Sequence, residues 1–406
     1  MGGAKAAWME AQERGWDAPE KHVCPDCVSD PYLKALIEGG VTSRTCDYCG
    51  EQADTEIAAP VEEIMPAVMG ALTHYFAEPG GAGVPYESAE GGYLVEPTDT
   101  ADALMSLPLE CNDELFDDIV SAIAHFNDGW VEAGQGHWAS EQKNQELIGG
   151  WNRFSNHVKH RQRYFFTATE RDFGQDIEPS RLMPELASVV SELELIEGMD
   201  ADTPLFRVRA RSPSNTWSMD AENLGAPPSR RAAAGRMNPP GISYLYLALE
   251  PATAAAEIVR GPPCSLALAH FRTTRPLRLL NLIDLPAIPS IFDYERLRER
   301  EFLVFLAEFV QAISRPVEKD GAEHIEYVPS QIVCEYFASV FQPDSPLDGL
   351  LYPSAVSKGG RNLVLFPRFD EGDNQFPQVL FQDSWTAVAE DWTALSKLIG
   401  SSRGVP

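Results

Sequence analysis

The sequence predicts an α+β protein, and three observations carry that expectation. Two C-x2-C pairs stand within the first fifty residues, apolar side chains then recur at helical spacing to about residue 197, and strand-like and helix-like runs alternate beyond Gly198. The expected division is a cysteine-knuckle unit over 1–60, a mostly helical domain with its linker over 61–200, a mixed α/β domain over 201–370, and a C-terminal helix and tail over 371–406. A chain of 406 residues is long enough for two or three separate cores.

The first element rests on Cys24-Pro25-Asp26-Cys27 and Cys46-Asp47-Tyr48-Cys49, two pairs with eighteen residues between them. Each pair makes a tight turn whose sulfurs converge, and two such turns match a four-thiolate tetrahedral zinc site. Four thiolates leave no open coordination position, so such a zinc is structural. Four free or disulfide-bonded cysteines are the competing reading. Cys111, Cys264 and Cys334 lie in apolar surroundings and read as ordinary buried cysteines. A total of seven cysteines does not suggest a disulfide framework, and a reducing cytoplasm is the expected compartment.

Helical patterns follow over 61–76, 112–132, 138–163 and 181–197, with a Gly/Pro-rich loop over 78–97. In the second of these, Leu115, Ile119, Ile123 and Phe126 share one face while Asp117, Asp118 and Asp128 lie off it. Beyond the joint at Gly198-Met199-Asp200, strands are expected at 205–210, 243–249, 266–271, 277–282, 349–352 and 362–366. Helices are expected from Pro251 to about Arg260, over 294–313 and over 330–341.

Charge narrows the partners. The chain has 61 acidic and 32 basic side chains, a net of −29. This disfavours nucleic acid and anionic membrane surfaces, both of which select basic footprints. No apolar run is long enough to span a bilayer, and the N-terminal residues lack the apolar core of a secretory signal. The acidity is uneven: residues 1–200 hold 37 acids and 12 bases, and no Lys or Arg occurs between Arg44 and Lys143. The remaining 24 acids and 20 bases leave the second half near balance, so an anionic ligand should prefer it.

The second half has no phosphate-loop signature, no G-x-S-x-G elbow and no H-E-x-x-H helix. Instead it has polar residues where the pattern asks for apolar ones. Arg207 lies in a strand, Tyr246 in the next, Glu257 in the apolar part of an Ala-rich helix, and Ser354 just after a strand. Taken singly, each also has a structural reading: an ion-pair partner, a core ring, a solvated carboxylate, a turn hydroxyl. Gly235-Arg236-Met237-Asn238-Pro239-Pro240-Gly241 adds a tight loop with a second arginine.

Together Arg207, Gly235-Arg236-x-Asn238, Tyr246-Leu247-Ala248, Ala256-Glu257, Tyr352-Pro353-Ser354 and Gly359-Gly360-Arg361-Asn362 resemble the RES domain, named for its Arg, Glu and Ser. The resemblance implies a fold like that of ADP-ribosyltransferases and a toxin-type enzyme that consumes NAD. Such an enzyme cleaves the nicotinamide–ribose bond by hydrolysis or phosphorolysis, or transfers ADP-ribose to a protein target. It implies catalytic roles for Arg207, Tyr246, Glu257 and Ser354, and dinucleotide contacts for Arg236, Asn238, Tyr244 and Asn362. An antitoxin or regulatory protein and a homo-oligomer are the partners it suggests.

The first half is similar to the HEPN/RES N-terminal domain, on its cysteine knuckles and on Trp151-x-x-Phe154 followed by Val158-Lys159-His160-x-x-Arg163. HEPN ribonucleases use an Arg and a His on one helix. Here Arg153 is followed by His157 and His160, but Phe154 replaces the usual polar residue after the Arg. Two alternatives stay open: a non-catalytic interaction protein with a degenerate RES domain, and RNA cleavage by the helical half.

Overall fold

The computed structural model describes residues 2–89, 91–165, 178–211, 217–259, 264–314, 321, 323–369, 375–389 and 397. The chain divides into two compact units: Met1–Glu146 with Ala287–Phe305, and Leu147–Pro286 with Leu306–Pro406.

The first unit begins with α1 (Gly2–Arg14), β1 (His22–Val23), α2 (Pro31–Gly39), β2 (Ala59–Pro60), α3 (Met65–Tyr75) and β3 (Phe76–Ala77). It continues with β4 (Tyr86–Glu87), β5 (Gly92–Tyr93), α4 (Thr100–Ser106), α5 (Asp113–Ala124) and β6 (Val131–Glu132). Its strands are two-residue pairs, β1 with β2, β3 with β6 and β4 with β5, so helices carry the core. In α5, the Asn112 side chain caps the first turn by accepting from the N–H groups of Glu114 and Leu115. Leu115, Ile119 and Ile123 are fully buried, as the periodicity predicts. The helix stops at Ala124, short of the expected 132. Asn127 and Asp128 divert the chain by accepting from the N–H groups of Gly129 and Thr100, a competition that short polar side chains win over helix continuation.

The second unit contains α6 (Lys143–His160), α7 (Leu182–Glu192), β7 (Ile196–Met199), β8 (Pro204–Arg211), α8 (Ala221–Leu224), β9 (Leu245–Ala248), α9 (Pro251–Ile258), β10 (Cys264–Thr273) and β11 (Leu277–Asn281). Then come α10 (Leu297–Ser314), α11 (Glu323–Glu326), α12 (Val328–Ser339), β12 (Gly349–Pro353), β13 (Arg361–Leu365) and β14 (Val379–Ala389). The unit boundary falls inside α6 and inside α10. Eight strands form one mixed sheet in the order β14-β10-β8-β9-β13-β12-β11-β7. Every neighbouring pair is antiparallel except β11 with β12.

Alternation along the strands separates two apolar layers. Leu205, Leu245, Leu247, Ala267, Ala269, Leu363 and Leu365 share one. Phe206, Val208, Ala248, Leu266 and Leu268 share the other with Ala254, Ala255 and Ala256 of α9. Small alanines bring α9 close onto the sheet, with Pro251 at its first turn.

Two further expectations need correction. The helix expected to 197 ends at Glu192, because Glu194 takes a positive φ of 51° that no helix continues through, and β7 follows. The C-terminal helix expected within 371–406 is, over Val379–Ala389, a strand. Its Val, Phe, Trp and Thr side chains suit a pleated surface, and it pairs along the length of β10. Most of the rest of that segment lies outside the described residues.

Candidate active site and cysteine cluster

In the first unit, a 3-10 turn over Pro25–Cys27 and a turn closed by Gly50 N–H to Cys46 O (3.1 Å) bring the four expected cysteines together. The sulfurs of Cys24, Cys27, Cys46 and Cys49 all lie within 4.8 Å of one another. Cys24–Cys27 and Cys27–Cys46 are 3.7 Å apart and Cys24–Cys49 3.5 Å. These separations are too long for a disulfide bond, and all six cysteines with described side chains are free thiols. They match the ~3.8 Å edge of a tetrahedron built on metal–sulfur bonds of about 2.3 Å.

The chemistry of the set agrees. Burial and the neighbouring thiols push Cys24 up to about 11. Burial also opposes ionisation of Cys46, yet the N–H groups of Cys49, Tyr48 and Cys24 outweigh it and bring that thiol down to about 7. A cation at the centre would relieve this crowding, so the cluster could hold a metal ion. Of the other cysteines, Cys334 is buried as expected, Cys111 is only half-buried, and the side chain of Cys264 lies outside the described residues.

In the second unit, three side chains far apart in sequence meet. Glu257, near the C-terminal end of α9, receives a hydrogen bond on Oε1 from the Ser354 hydroxyl (2.8 Å) and another from Asn362 Nδ2 (2.7 Å). Ser354 follows β12, and its oxygen in turn accepts from the N–H groups of Val356 (3.3 Å) and Ser357 (3.0 Å). That local turn fixes the hydroxyl so that its proton points at Glu257. Asn362 is a buried residue of β13, paired in register with Tyr352 on one side and Ala248 on the other. Gly360 closes the loop between β12 and β13: a Cβ there would sit 2.6 Å from Thr253 Oγ1 of α9, so only glycine allows the approach. Among the described residues, nothing bonds Glu257 Oε2. The carboxylate is therefore half held and half available.

The two arginines stand apart from this group and make no ion pair with a carboxylate among the described residues. Arg207 is largely buried; burial and the nearby Arg209 bring its pKa down to about 10, still charged at neutral pH. It donates to the Tyr246 carbonyl (3.3 Å), where β8 and β9 share a single register position, Phe206 with Ala248. Arg236 donates to the Ser314 carbonyl at the end of α10 (2.5 Å). In a chain with nearly twice as many acids as bases, these two guanidinium groups are paired, among the described residues, with neutral carbonyls rather than carboxylates.

Three expected ligand-facing residues do something else. The Tyr246 hydroxyl donates to Asn238 Oδ1 (2.8 Å) and accepts from Met237 N–H (3.0 Å), so it braces the Arg236 loop. Asn238 is buried, and its Nδ2 donates to the carbonyls of Ala233, Pro239 and Ile242 (2.9–3.1 Å), leaving no group for a ligand. The Tyr244 ring is buried beside Phe366 at 5.4 Å, a core position. Tyr246 and Asn238 are turned inward because the loop's free main-chain groups have to be satisfied away from water, and Tyr244 because its ring fills the core. Tyr352, which sequence reasoning treated only as a neighbour of Ser354, is buried in the field of Glu257 and Arg236; burial holds its phenol neutral. In α6, Arg153 and His157 stand one turn apart with fully buried Phe154 between them.

Comparison with known proteins bears directly on both halves. Residues 40–172 match the family model described as HEPN/RES N-terminal domain 1, and residues 204–388 match the RES domain. No curated protein matches the chain. No helix among the described residues is long and apolar enough to cross a membrane. With Arg207, Glu257 and Ser354 all inside the second match, the chain is a RES-domain protein that carries a HEPN/RES N-terminal domain.

Proposed function

We propose that the RES domain cleaves the nicotinamide–ribose bond of NAD and passes the ADP-ribosyl group to water, phosphate or a protein side chain, as toxin-type enzymes do. The observation that carries this reading is the Glu257 carboxylate, with one oxygen held by Ser354 and Asn362 and the other unbonded among the described residues. Departure of neutral nicotinamide takes the bonding electrons and leaves positive charge on the ribose anomeric carbon and ring oxygen. A fixed carboxylate stabilises that charge more than it stabilises the ground state, which is the condition for lowering the barrier. Before reaction, the same oxygen accepts from a ribose hydroxyl. Arg207 and Arg236 bind the pyrophosphate, whose charge suits guanidinium groups not already neutralised. Ser354 donates its hydroxyl proton to Glu257 Oε1, so in this reading it orients the carboxylate and is not the nucleophile. Tyr246 and Asn238 hold the Arg236 loop. A fold of the ADP-ribosyltransferase kind belongs to this reading, as does structural zinc on Cys24, Cys27, Cys46 and Cys49.

The test is nicotinamide release from NAD, with phosphate varied, by wild type and by Glu257→Gln. The glutamine keeps an oxygen for Ser354 and Asn362 but removes the charge, so the rate should fall about a hundredfold to a thousandfold. A wild type that leaves NAD intact with every acceptor, or a glutamine variant that matches it, would sink the reading.

A further inference from the structure

The loop bearing Arg236 is held far more closely than a surface loop needs, and the holding group is a buried polar pair that the proposed reaction does not use. Ser330 and Gln331 lie in the first turn of α12, where Val328, Pro329, Ser330 and Gln331 are all buried. Buried polar side chains are retained at a cost unless they have partners, so what they bind is informative. Gln331 Nε2 donates to Gly235 O (2.7 Å) and to Asn238 O (2.9 Å). Those are the two ends of a four-residue turn that closes on itself through Gly235 N–H to Asn238 O (2.9 Å). Ser330 Oγ donates to the carbonyl of Arg236 itself (2.6 Å).

Other groups of the turn are fixed as well. Met237 N–H is bonded by the Tyr246 hydroxyl, and the Met237 sulfur lies 3.2 Å from Cys334 Sγ, farther along α12. Gly235 has no room for a side chain, since a Cβ would collide with Asn238 Oδ1 and lie 2.7 Å from the Tyr246 hydroxyl oxygen. The main chain on both sides of Arg236 is thus pinned, while its guanidinium rests on one neutral carbonyl. An arginine whose base is already ordered loses less freedom on gripping an anion.

We propose that Gln331, with Ser330, is the positioning residue for Arg236 as an anchor for the pyrophosphate of an ADP-ribosyl ligand. This rests on the proposed NAD reading for the ligand's identity, but its test uses ADP-ribose, which lacks the nicotinamide–ribose bond, so binding is read even if turnover is absent. Calorimetry on the full-length protein should show ADP-ribose affinity falling about tenfold in Gln331→Met and at least as far in Arg236→Ala. The double variant should be no weaker than Arg236→Ala alone, because the clamp acts only through the arginine. Hydrogen exchange at the Met237 and Gly241 amides should speed up in Gln331→Met while the β12 and β13 amides keep their protection. A general packing defect would instead lower the melting temperature and add its loss to that of Arg236→Ala. If Gln331→Met does not fold, Ser330→Ala, which removes one hydroxyl, carries the same comparison. Wild-type affinity in the clamp variants, additive losses, or a wild type that does not bind ADP-ribose would each overturn the proposal.

Discussion

The cysteine cluster and the Glu257 cluster are built in opposite ways. The four sulfurs come from two turns, each closed within a few residues, so spacing along the chain already states the geometry. Glu257, Ser354 and Asn362 come from a helix, a loop and a strand, with about a hundred residues between the first and the other two. A local cluster of this kind would take its order from a bound ion; a distant one takes it from the sheet that brings its members together. The two should therefore fail under different insults.

The largest expected effect lies in the first cluster. Removing the metal, by chelation or by Cys27→Ser, should forfeit apparent binding energy on the order of 10–16 kcal/mol. Hydrogen exchange should then show residues 20–60 unprotected while β8 to β13 keep their protection, and elemental analysis of the intact protein should give one zinc per chain. Joint collapse of both regions, or the absence of bound metal, would erase the contrast.

A change in the sheet's own polar support should have a smaller effect of a different kind. Asp348 is buried just before β12 and accepts from Arg275 Nη1 and Nη2 (2.9 and 2.8 Å), Arg368 Nη2 (2.8 Å) and the Arg278 N–H (3.0 Å). Burial works against its charge, but these donors outweigh burial and hold the carboxyl below its ordinary value. A depressed carboxyl stabilises the fold above the unfolded value of about 3.9, and that stability is lost as pH falls through the lower folded value. Asp348→Asn should cost about 3 kcal/mol at neutral pH, chiefly by taking the charged partner from the largely buried Arg368. The gap in melting temperature between wild type and variant should begin to narrow below about pH 4 and close only as pH falls through the lower folded value; a gap that stays constant across that range would mean the charge is not what stabilises the sheet.

The smallest expected effect sharpens the second cluster from within. Ser354→Ala removes one of the two bonds to Glu257 Oε1 and leaves Asn362 in place. Nicotinamide release should fall about tenfold, roughly 1.4 kcal/mol, and melting temperature should drop only modestly, as the Val356 and Ser357 N–H groups lose their acceptor. A loss as large as that of Glu257→Gln would instead assign Ser354 a direct role at the ribose.

Much of the second unit could be read along the chain. Strands β8 to β13 and helices α9, α10 and α12 fall where alternation, periodicity and Pro251 predict, because burial on one face imposes a fixed period on the sequence. β14 was missed because an edge strand is only half-buried, which leaves Leu380, Trp385 and Val388 exposed and blurs the alternation. α2 was missed although Asp30 and Pro31 form an ordinary helix start, since the nearby cysteine turns dominated that stretch. Tyr246 and Asn238 show the limit for site residues. Their types and order mark the RES domain, but whether they face a ligand or the loop depends on which main-chain groups need partners.

By itself, the sequence determined the metal-ready cysteines, the acidic and near-neutral halves, the family, and the identity of the residues that carry its name. Those are local properties, written in spacing and residue type. Only the tertiary structure decided that Asn362 joins Ser354 on one oxygen of Glu257, that both arginines rest on carbonyls, and that Gln331 holds the loop of Arg236. These contacts cross from one element to another, and strand order and helix placement set which groups meet.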